Sequence, residues 1–170
     1  TLDRSSAASD VYKRQTGGLL QKEKPMQEVH MIAQGKGGVG KSFISTLIAQ
    51  YLKPKASSLH CYDTDPVNPT FSHYQALNPK VINILTDDNN LNSRIFDDLM
   101  EDLLELDGIA VVDNGAATFV PLMGYMAEND VADVLSDAGI RLVVHIPVTG
   151  GQALGECLKG LNETLGTINA

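Results

Sequence analysis

The stretch QGKGGVGKS, residues 34–42, decides which fold this sequence encodes. It places four glycines and two lysines in nine positions, and Gly35, Gly40, Lys41 and Ser42 satisfy the pattern GxxxxGK[ST]. This pattern is typical of a loop whose glycines let successive backbone N–H groups point toward a phosphate. Phosphate binding needs only the lysine next to the serine, so Lys36 requires a separate explanation.

The segments on either side of the loop give the pattern its structural context. Residues 28–34, EVHMIAQ, form an apolar run that predicts a buried strand. Residues 41–52, KSFISTLIAQYL, predict a helix that ends before Pro54. A GxxxxGK[ST] loop between a strand and a helix predicts a phosphate-binding loop. The apolar side chains at near-helical spacing are Phe43, Leu47, Ile48, Tyr51 and Leu52.

The chemistry of such a loop assigns a role to each of its residues. Lys41 is expected to contact the β and γ phosphates, and the Ser42 hydroxyl is expected to coordinate magnesium. The start of the helix adds partial positive charge toward a bound phosphate. The predicted nucleotide-binding residues are Gly35, Lys36, Gly37, Gly38, Val39, Gly40, Lys41 and Ser42.

Predicted strands and helices alternate along the rest of the chain. This alternation predicts a doubly wound α/β fold, a mostly parallel sheet with helices on both faces. Ligands of such folds bind at the carboxyl ends of the strands. The further predicted strands are residues 57–63, 81–85, 109–113 and 141–148. The further predicted helices are residues 92–106, with Ile95, Leu99, Leu103 and Leu106 inward, two short helices within 118–138, and residues 151–165.

Acidic residues stand at the ends of two predicted strands. Asp63 and Asp65 lie in the stretch DTDPVN, and Asp113 ends the apolar stretch IAVVD. Carboxylates at this edge can hold the water shell of magnesium or orient an attacking water. A loop rich in Asp, Pro and Asn is also ordinary turn chemistry, so the position beside the phosphate loop carries the functional interpretation. Gly115 is expected to let the following backbone respond to the γ phosphate.

Composition and charge exclude several classes of function. The chain has 170 residues, a hydrophobic fraction of 43% and a formal net charge of -8. This length supports one domain with a buried core, and the acidic balance argues against a surface that binds nucleic acid through its phosphates. The apolar runs are far shorter than the roughly 20 residues that a membrane helix needs. No direct sequence signal for nucleic-acid or membrane binding is present.

The cysteines and histidines show no pattern of a metal site. Cys61 and Cys157 match no ligand spacing, which favours a reduced, cytoplasmic setting over a disulfide framework. We expect structural roles for the scattered histidines His30, His60, His73 and His145.

The two ends of the chain differ from the rest. Residues 1–25 have no strand or helix periodicity, so we expect a disordered or artefactual leader, with Met26 as a start. Residues 26–170 are expected to form one phosphate-loop ATPase domain, and the helical pattern near the end suggests that a C-terminal part is missing.

The motifs together resemble a known family. KGGVGKS resembles the deviant Walker A motif of the ParA and MinD ATPases, DTDPVN their DxDP switch, and VVDNG their Walker B position. From Met26 onward the chain is similar to TraL-type conjugal transfer proteins, in HMIAQGKGGVGKSFISTLIAQYL, DTDPVNPTF, VVDNGAATFVPL, ENDV and TGGQAL. The resemblance covers residues 26–168.

The resemblance implies a nucleotide-dependent dimer that uses ATP and Mg²⁺. Lys36 would be the lysine that reaches across the dimer to the partner's phosphates, and Asp65 would position the hydrolytic water. Asp63 and Asp113 would support magnesium largely through water. Phe43 replaces a threonine of many ParA proteins, and no ParA-like glutamine follows Asp65 and Pro66, so the sequence favours slow turnover over fast turnover.

Three functions follow from these observations. The first is a TraL-like ATPase that works as a dimerisation switch with the conjugation machinery in the bacterial cytoplasm. A plasmid partition or protein-positioning ATPase is an alternative within the enzymes. A nucleotide-gated interaction module with little hydrolysis is an alternative of another class.

Overall fold

Parallel strands form the centre of the fold in the computed structural model, which describes residues 27–65, 67–82 and 93–168. Within these ranges five strands pair in the order β3-β2-β4-β1-β5, and every pairing is parallel. The strands are β1 Gln27–Ile32, β2 Leu59–Asp63, β3 Lys80–Val81, β4 Ile109–Asp113 and β5 Ile140–His145. The predicted leader, most of the predicted strand 81–85, and Asn92 lie outside the described residues.

Helices cover the sheet on both faces, as the alternating pattern predicts. They are α1 Lys41–Leu52, α2 Ser93–Leu104, α3 Phe119–Glu128, α4 Val131–Asp137 and α5 Leu154–Ile168. On one face, α2, α3 and α4 pack over a cluster that includes Met31 and Val112. On the other face, α1 and two 3₁₀ turns at residues 71–77 pack over Ile32 and Val111. The doubly wound α/β fold is therefore confirmed.

The inward face of α1 differs from the one that its apolar spacing predicts. Phe43, Leu47 and Tyr51 are 63%, 49% and 65% exposed. The buried positions of this helix are Lys41, Ser45, Thr46, Ala49 and Leu52. Small side chains let the helix lie close to the sheet, whereas large ones would hold it away. Three of the five apolar residues at near-helical spacing are therefore exposed, although the predicted helix itself is present.

The buried face of α2 follows its predicted pattern. Leu99 and Leu103 are at most 2% exposed, and Ile95 packs at the edge of the same cluster. Phe96 is also buried there, beside Tyr125 of α3. Leu106 is also buried at 3% exposure, but it lies two residues after the helix ends.

The connections create a crevice at one edge of the sheet. β1 and β4 are neighbours, yet α1 leaves β1 toward one face and α3 leaves β4 toward the other. Adjacent strands whose helices diverge leave a crevice at their carboxyl ends, where ligands bind in open α/β sheets. Residues 34–40 and Asp113 both lie at this edge.

None of the helices in the described part of the chain is long and apolar enough to cross a membrane.

Candidate functional site

The loop between β1 and α1 has the shape of an anion cradle. A Cβ atom added at Gly37, Gly38 or Gly40 would meet no atom within 4 Å. Gly38 and Gly40 have φ angles of 73° and 87°, a left-handed conformation that side chains disfavour. α1 begins without a side-chain cap and without an acidic residue in its first turn, so its first N–H groups face no competing anion from those positions. This loop fits a phosphate group.

Lys41 lies inside the loop. It is 9% exposed, and its ammonium donates to the backbone oxygen of Lys36 at 3.3 Å. Burial lowers the pKa of Lys41, and the carboxylates of Asp113 and Asp65 partly oppose this change. A cation that has lost much of its hydration gains from a bound anion, so Lys41 is placed to hold phosphate.

Two further loop residues, Val39 and Gly35, pack against the rest of the fold. Val39 is 8% exposed, and Gly35 lies so close to the Phe119 ring that an added Cβ would be 3.0 Å from its Cδ1 atom. The start of the loop therefore rests on the first residue of α3.

Asp113 ends β4 directly beneath α1. It is 1% exposed, and the Ser45 hydroxyl donates to its Oδ1 atom at 2.8 Å. Burial raises the pKa of Asp113 to about 6, although hydrogen bonds from Ser42 and Ser45 oppose the rise. A buried carboxylate that carries its charge at a free-energy cost would gain from a nearby cation. Together with the Ser42 hydroxyl it forms an oxygen-rich setting that suits Mg²⁺.

Asp63 ends β2, and the strand register places it beside Asp113. Its Oδ1 atom accepts a hydrogen bond from the Asp65 N–H at 3.1 Å, and its Oδ2 atom accepts one from the Ser72 N–H at 2.8 Å. Burial raises the pKa of Asp63, while these backbone hydrogen bonds oppose the rise. Because both oxygens hold the loop, the geometry fits an indirect contact with magnesium through water.

Asp65 organises the loop that follows β2. Its Oδ1 atom accepts hydrogen bonds from the N–H groups of Val67 and Asn68, each at 3.0 Å. A Cβ atom at Gly115 would lie 2.8 Å from the Asp65 Cγ atom, so the glycine allows this side chain to approach β4. Pro66, between Asp65 and Val67, lies outside the described residues.

Lys36 forms an ion pair with a carboxylate of α5. Its ammonium lies 3.0 Å from the Oε2 atom of Glu156 in the first turn of α5, and its side chain is 35% exposed. The two lysines of the loop therefore have different surroundings, and only Lys41 lies near the buried aspartates.

A buried glutamine that the sequence analysis assigned to β1 fixes the start of the loop. Gln34 is fully buried, and its Nε2 atom donates to the backbone oxygens of Pro147 and Cys157, both at 3.1 Å. It thereby joins the end of β1 to the β5–α5 connection. A polar residue directly after an apolar run was the available sequence signal.

Other buried polar residues join the ends of neighbouring strands. Asn114 donates from Nδ2 to the backbone oxygen of Ile32 at 3.0 Å, and its Oδ1 atom accepts a hydrogen bond from the Thr64 hydroxyl at 3.0 Å. Ser45 adds the contact to Asp113. None of the three residues was predicted from the sequence to belong to the site. Thr64 and Asn114 directly follow predicted strands, and Ser45 lies one helical turn after Ser42.

The structure brings the predicted site residues to one edge of the sheet. Lys41 interacts electrostatically with Asp65 and Asp113, and Asp63 does so with Asp113. The arrangement can hold an anion at the loop and a cation beside it.

Sequence comparison identifies the family of this site. Residues 30–168 match the family described as the CobQ/CobB/MinD/ParA nucleotide binding domain. The chain belongs to this family. The family's nucleotide-binding domain and the geometry of the loop agree on the class of ligand.

Within the CobQ/CobB/MinD/ParA family the chain is similar to two proteins named TraL from Escherichia coli. The identities are 50% and 49% over 135 residues, which is 79% of this chain and 56% of each relative. The chain thus spans about half the length of these relatives. The resemblance to ParA/MinD-type, TraL-like proteins is confirmed.

A further similarity covers a shorter part of the chain. The iron-sulfur cluster carrier protein of Rickettsia typhi is 39% identical over 59 residues, which is 34% of this chain and 19% of that protein. No solved structure matches the chain significantly.

Proposed function

We propose that this protein binds ATP with magnesium and acts as a nucleotide-dependent dimerisation switch in conjugative plasmid transfer. The observation that carries the proposal is the division between the two lysines of one loop. Lys41 is buried next to the aspartates, whereas the Lys36 side chain is partly exposed and contacts α5. This division supports a phosphate contact within the chain for Lys41 and a contact with a partner chain for Lys36.

Nucleotide binding in this proposal uses the loop and the start of α1. The N–H groups of residues 35–42 hold the phosphates, and Lys41 neutralises their charge. Ser42 and, through water, Asp63 and Asp113 would hold magnesium, which would supply positive charge that stabilises the phosphates. The uncapped helix start, the open space at the glycines and the buried Asp113 support this assignment.

Dimerisation follows from what Lys36 can contact. A nucleotide drives association only if it binds the two-chain state more tightly than the single chain. A lysine that reaches a partner's phosphates supplies that difference, because the contact exists only when both chains and the nucleotide are present. Lys36 is the loop residue with the exposure for this role.

Hydrolysis in this proposal depends on Asp65 and is slow. The Asp65 Oδ1 atom accepts two backbone hydrogen bonds from its own loop. Its other carboxylate oxygen would orient the attacking water. This partial engagement supports low turnover.

Two measurements test the proposal. Titration calorimetry with ATP and magnesium should give binding to the wild type, and light scattering should give an ATP-dependent increase in mass. Lys36→Ala should retain binding and lose the increase in mass. If Lys36→Ala associates with ATP as strongly as the wild type, the cross-dimer role is wrong.

The engagement of Asp65 also supports the second candidate, a nucleotide-gated interaction module with little hydrolysis. Phosphate release from the wild type and from Asp65→Ala separates the two. A clear loss in the variant supports an ATPase, whereas equal rates near background support the module.

The role in plasmid transfer rests on the similarity to TraL and on no feature of the site. A mating assay tests this role. A conjugative plasmid that lacks this gene is complemented with the wild-type gene or with Lys41→Ala, and the frequency of plasmid transfer is measured. Normal transfer without the gene, together with plasmid loss from growing cells, would favour the partition alternative.

A further inference from the structure

We propose that Glu156 is a positioning residue that holds Lys36 within its own chain and thereby opposes its use across a dimer. This inference rests on the proposed dimerisation switch. Glu156 has no role in the nucleotide chemistry of the loop. Its partner is Lys36, and its effect is weaker association of two chains.

The contact joins the loop to the first turn of α5. The Lys36 ammonium and the Glu156 carboxylate are 3.0 Å apart, and their side chains are 35% and 64% exposed. Both residues line a groove of about 340 Å³ between the loop, the start of α3 and α5. A carboxylate in the first turn of a helix also interacts favourably with the helix dipole, which favours keeping Glu156 charged.

Buried contacts fix α5 against the loop, so the position of Glu156 is not accidental. The Gln34 amide donates to the backbone oxygen of Cys157, the residue that follows Glu156. One turn later, a Cβ atom at Gly160 would lie 2.2 Å from the Gln34 Oε1 atom. Only a residue without a side chain fits at this point, so α5 lies close to the end of β1. The first turn of α5 therefore has a defined place beside Lys36.

Lys36 has two alternative anionic partners, and the amount of negative charge on each decides which contact is more stable. In the single chain, the Lys36 ammonium is paired with one carboxylate. Across a dimer it would face the triphosphate of the partner, which carries more negative charge than one carboxylate. An exposed ion pair contributes little and is screened by salt, so it can break without unfolding anything. Glu156 thus weakens ATP-dependent association without preventing it.

The first test measures the pairing in the absence of nucleotide. In the full-length protein, the rate at which a lysine-selective acylating reagent modifies Lys36 is followed by peptide mass spectrometry. Glu156→Gln should raise that rate about two- to fivefold, because the amine loses its charged partner. The exposed Lys55, which lies beyond the end of α1 and outside this groove, is the internal reference, and its rate should stay constant.

The second test measures association with ATP and magnesium by analytical ultracentrifugation. Glu156→Gln should tighten ATP-dependent self-association about two- to fivefold at low salt. The gain should shrink in 1 M sodium chloride, because salt screens the ion pair.

Glu163→Gln is the matched control variant. Glu163 lies on α5 and lines the same groove, and the substitution removes the same charge. It should change neither the acylation rate of Lys36 nor the association constant. An equal gain from Glu163→Gln would mean that net charge, and not the pairing, is responsible, and would overturn the proposal.

The outcomes separate this inference from the proposed function. An unchanged acylation rate in Glu156→Gln overturns the pairing whatever the association data show. If the wild type dimerises with ATP and Glu156→Gln raises the acylation rate of Lys36 without changing the association constant, Glu156 does not oppose dimerisation and the proposal is overturned. If the rate rises but neither protein associates with ATP, the pairing stands and the dimerisation switch falls.

Discussion

Lysines of the same loop differ here because of the geometry around each side chain. Lys41 starts α1 and is turned toward Asp113, whereas Lys36 lies five residues earlier and reaches α5. Burial lowers the pKa of Lys41 and makes an anion its best partner. The sequence predicted both residues as part of the site, and their roles stay predictions.

Lys41→Ala tests the phosphate contact. Removing a charged hydrogen-bond donor is expected to weaken ATP binding about ten- to hundredfold, because such contacts contribute about 1.5–3 kcal/mol. Titration calorimetry at fixed salt measures the dissociation constant. Lys55→Ala, at an exposed position beyond the end of α1, should leave it unchanged. A Kd for Lys41→Ala within twofold of the wild-type value would contradict the assignment.

Asp113→Asn tests the cost of the buried charge. The pKa of Asp113 is raised from 3.8 to about 6 in the fold, so ionisation destabilises the folded state. This loss of stability develops as the pH rises between about 4 and 6 and is complete above that range. At pH 8 the Asp113→Asn variant should have a free energy of unfolding about 1–2 kcal/mol higher than the wild type. This gain is smaller than the value that corresponds to a shift of about two pKa units, because the substitution also loses a hydrogen bond.

Urea unfolding without nucleotide and with a chelator measures this difference. At pH 4.5 the advantage of Asp113→Asn should largely disappear, because the wild-type carboxyl is then mostly protonated in the fold. Asp98→Asn, at an exposed position of α2, is the control and should show no comparable pH dependence. An advantage of equal size at both pH values would refute the burial argument.

At the scale of elements, α1 and α5 show how side-chain size positions the site. The inner face of α1 carries Ser45 and Ala49, which allow the helix to lie close enough for the Ser45 hydroxyl to reach Asp113. α5 approaches the end of β1 through Gly160. In both cases a small residue permits a polar contact that a larger side chain would prevent.

Gln34→Ala tests the attachment of α5 to the loop. The substitution leaves the backbone oxygens of Pro147 and Cys157 without the Gln34 donor, and it opens a cavity at a fully buried position. We expect the free energy of unfolding to fall by about 2–4 kcal/mol. Chemical denaturation measures it, and Gln50→Ala on the exposed side of α1 serves as the control. Equal stability of the two variants would show that Gln34 does not anchor α5.

At the scale of the whole molecule, binding of the ligand should increase the stability of the fold. A ligand that binds only the folded chain stabilises it by about 2.7 kcal/mol at a concentration one hundred times its Kd. ATP with magnesium should therefore raise the Tm by several degrees, and a chelator should reverse much of the gain. Lys41→Ala should show almost no shift at the same ATP concentration. A wild-type Tm that ATP leaves unchanged would contradict nucleotide binding.

The alternation of elements could be predicted because apolar runs and helical spacing are local properties. The predicted stretch 109–113 coincides with β4, whereas the stretches 28–34 and 141–148 begin one residue after β1 and β5 begin and end two and three residues after them. The buried face of α1 could not be predicted this way. Its most apolar residues are exposed, because the distance between helix and sheet, and not hydrophobicity alone, selects the inward side chains.

The sequence by itself determined the phosphate-binding loop, the parallel α/β fold and the two strand ends that carry aspartates. These features follow from spacing within short segments, and parallel strands bring their carboxyl ends to one edge. Only the tertiary structure decided the strand order, the attachment of α5 by Gln34 and the pairing of Lys36 with Glu156. Residues 120 positions apart meet only when the sheet and its helices have packed, so no local pattern could reveal that second contact of the loop.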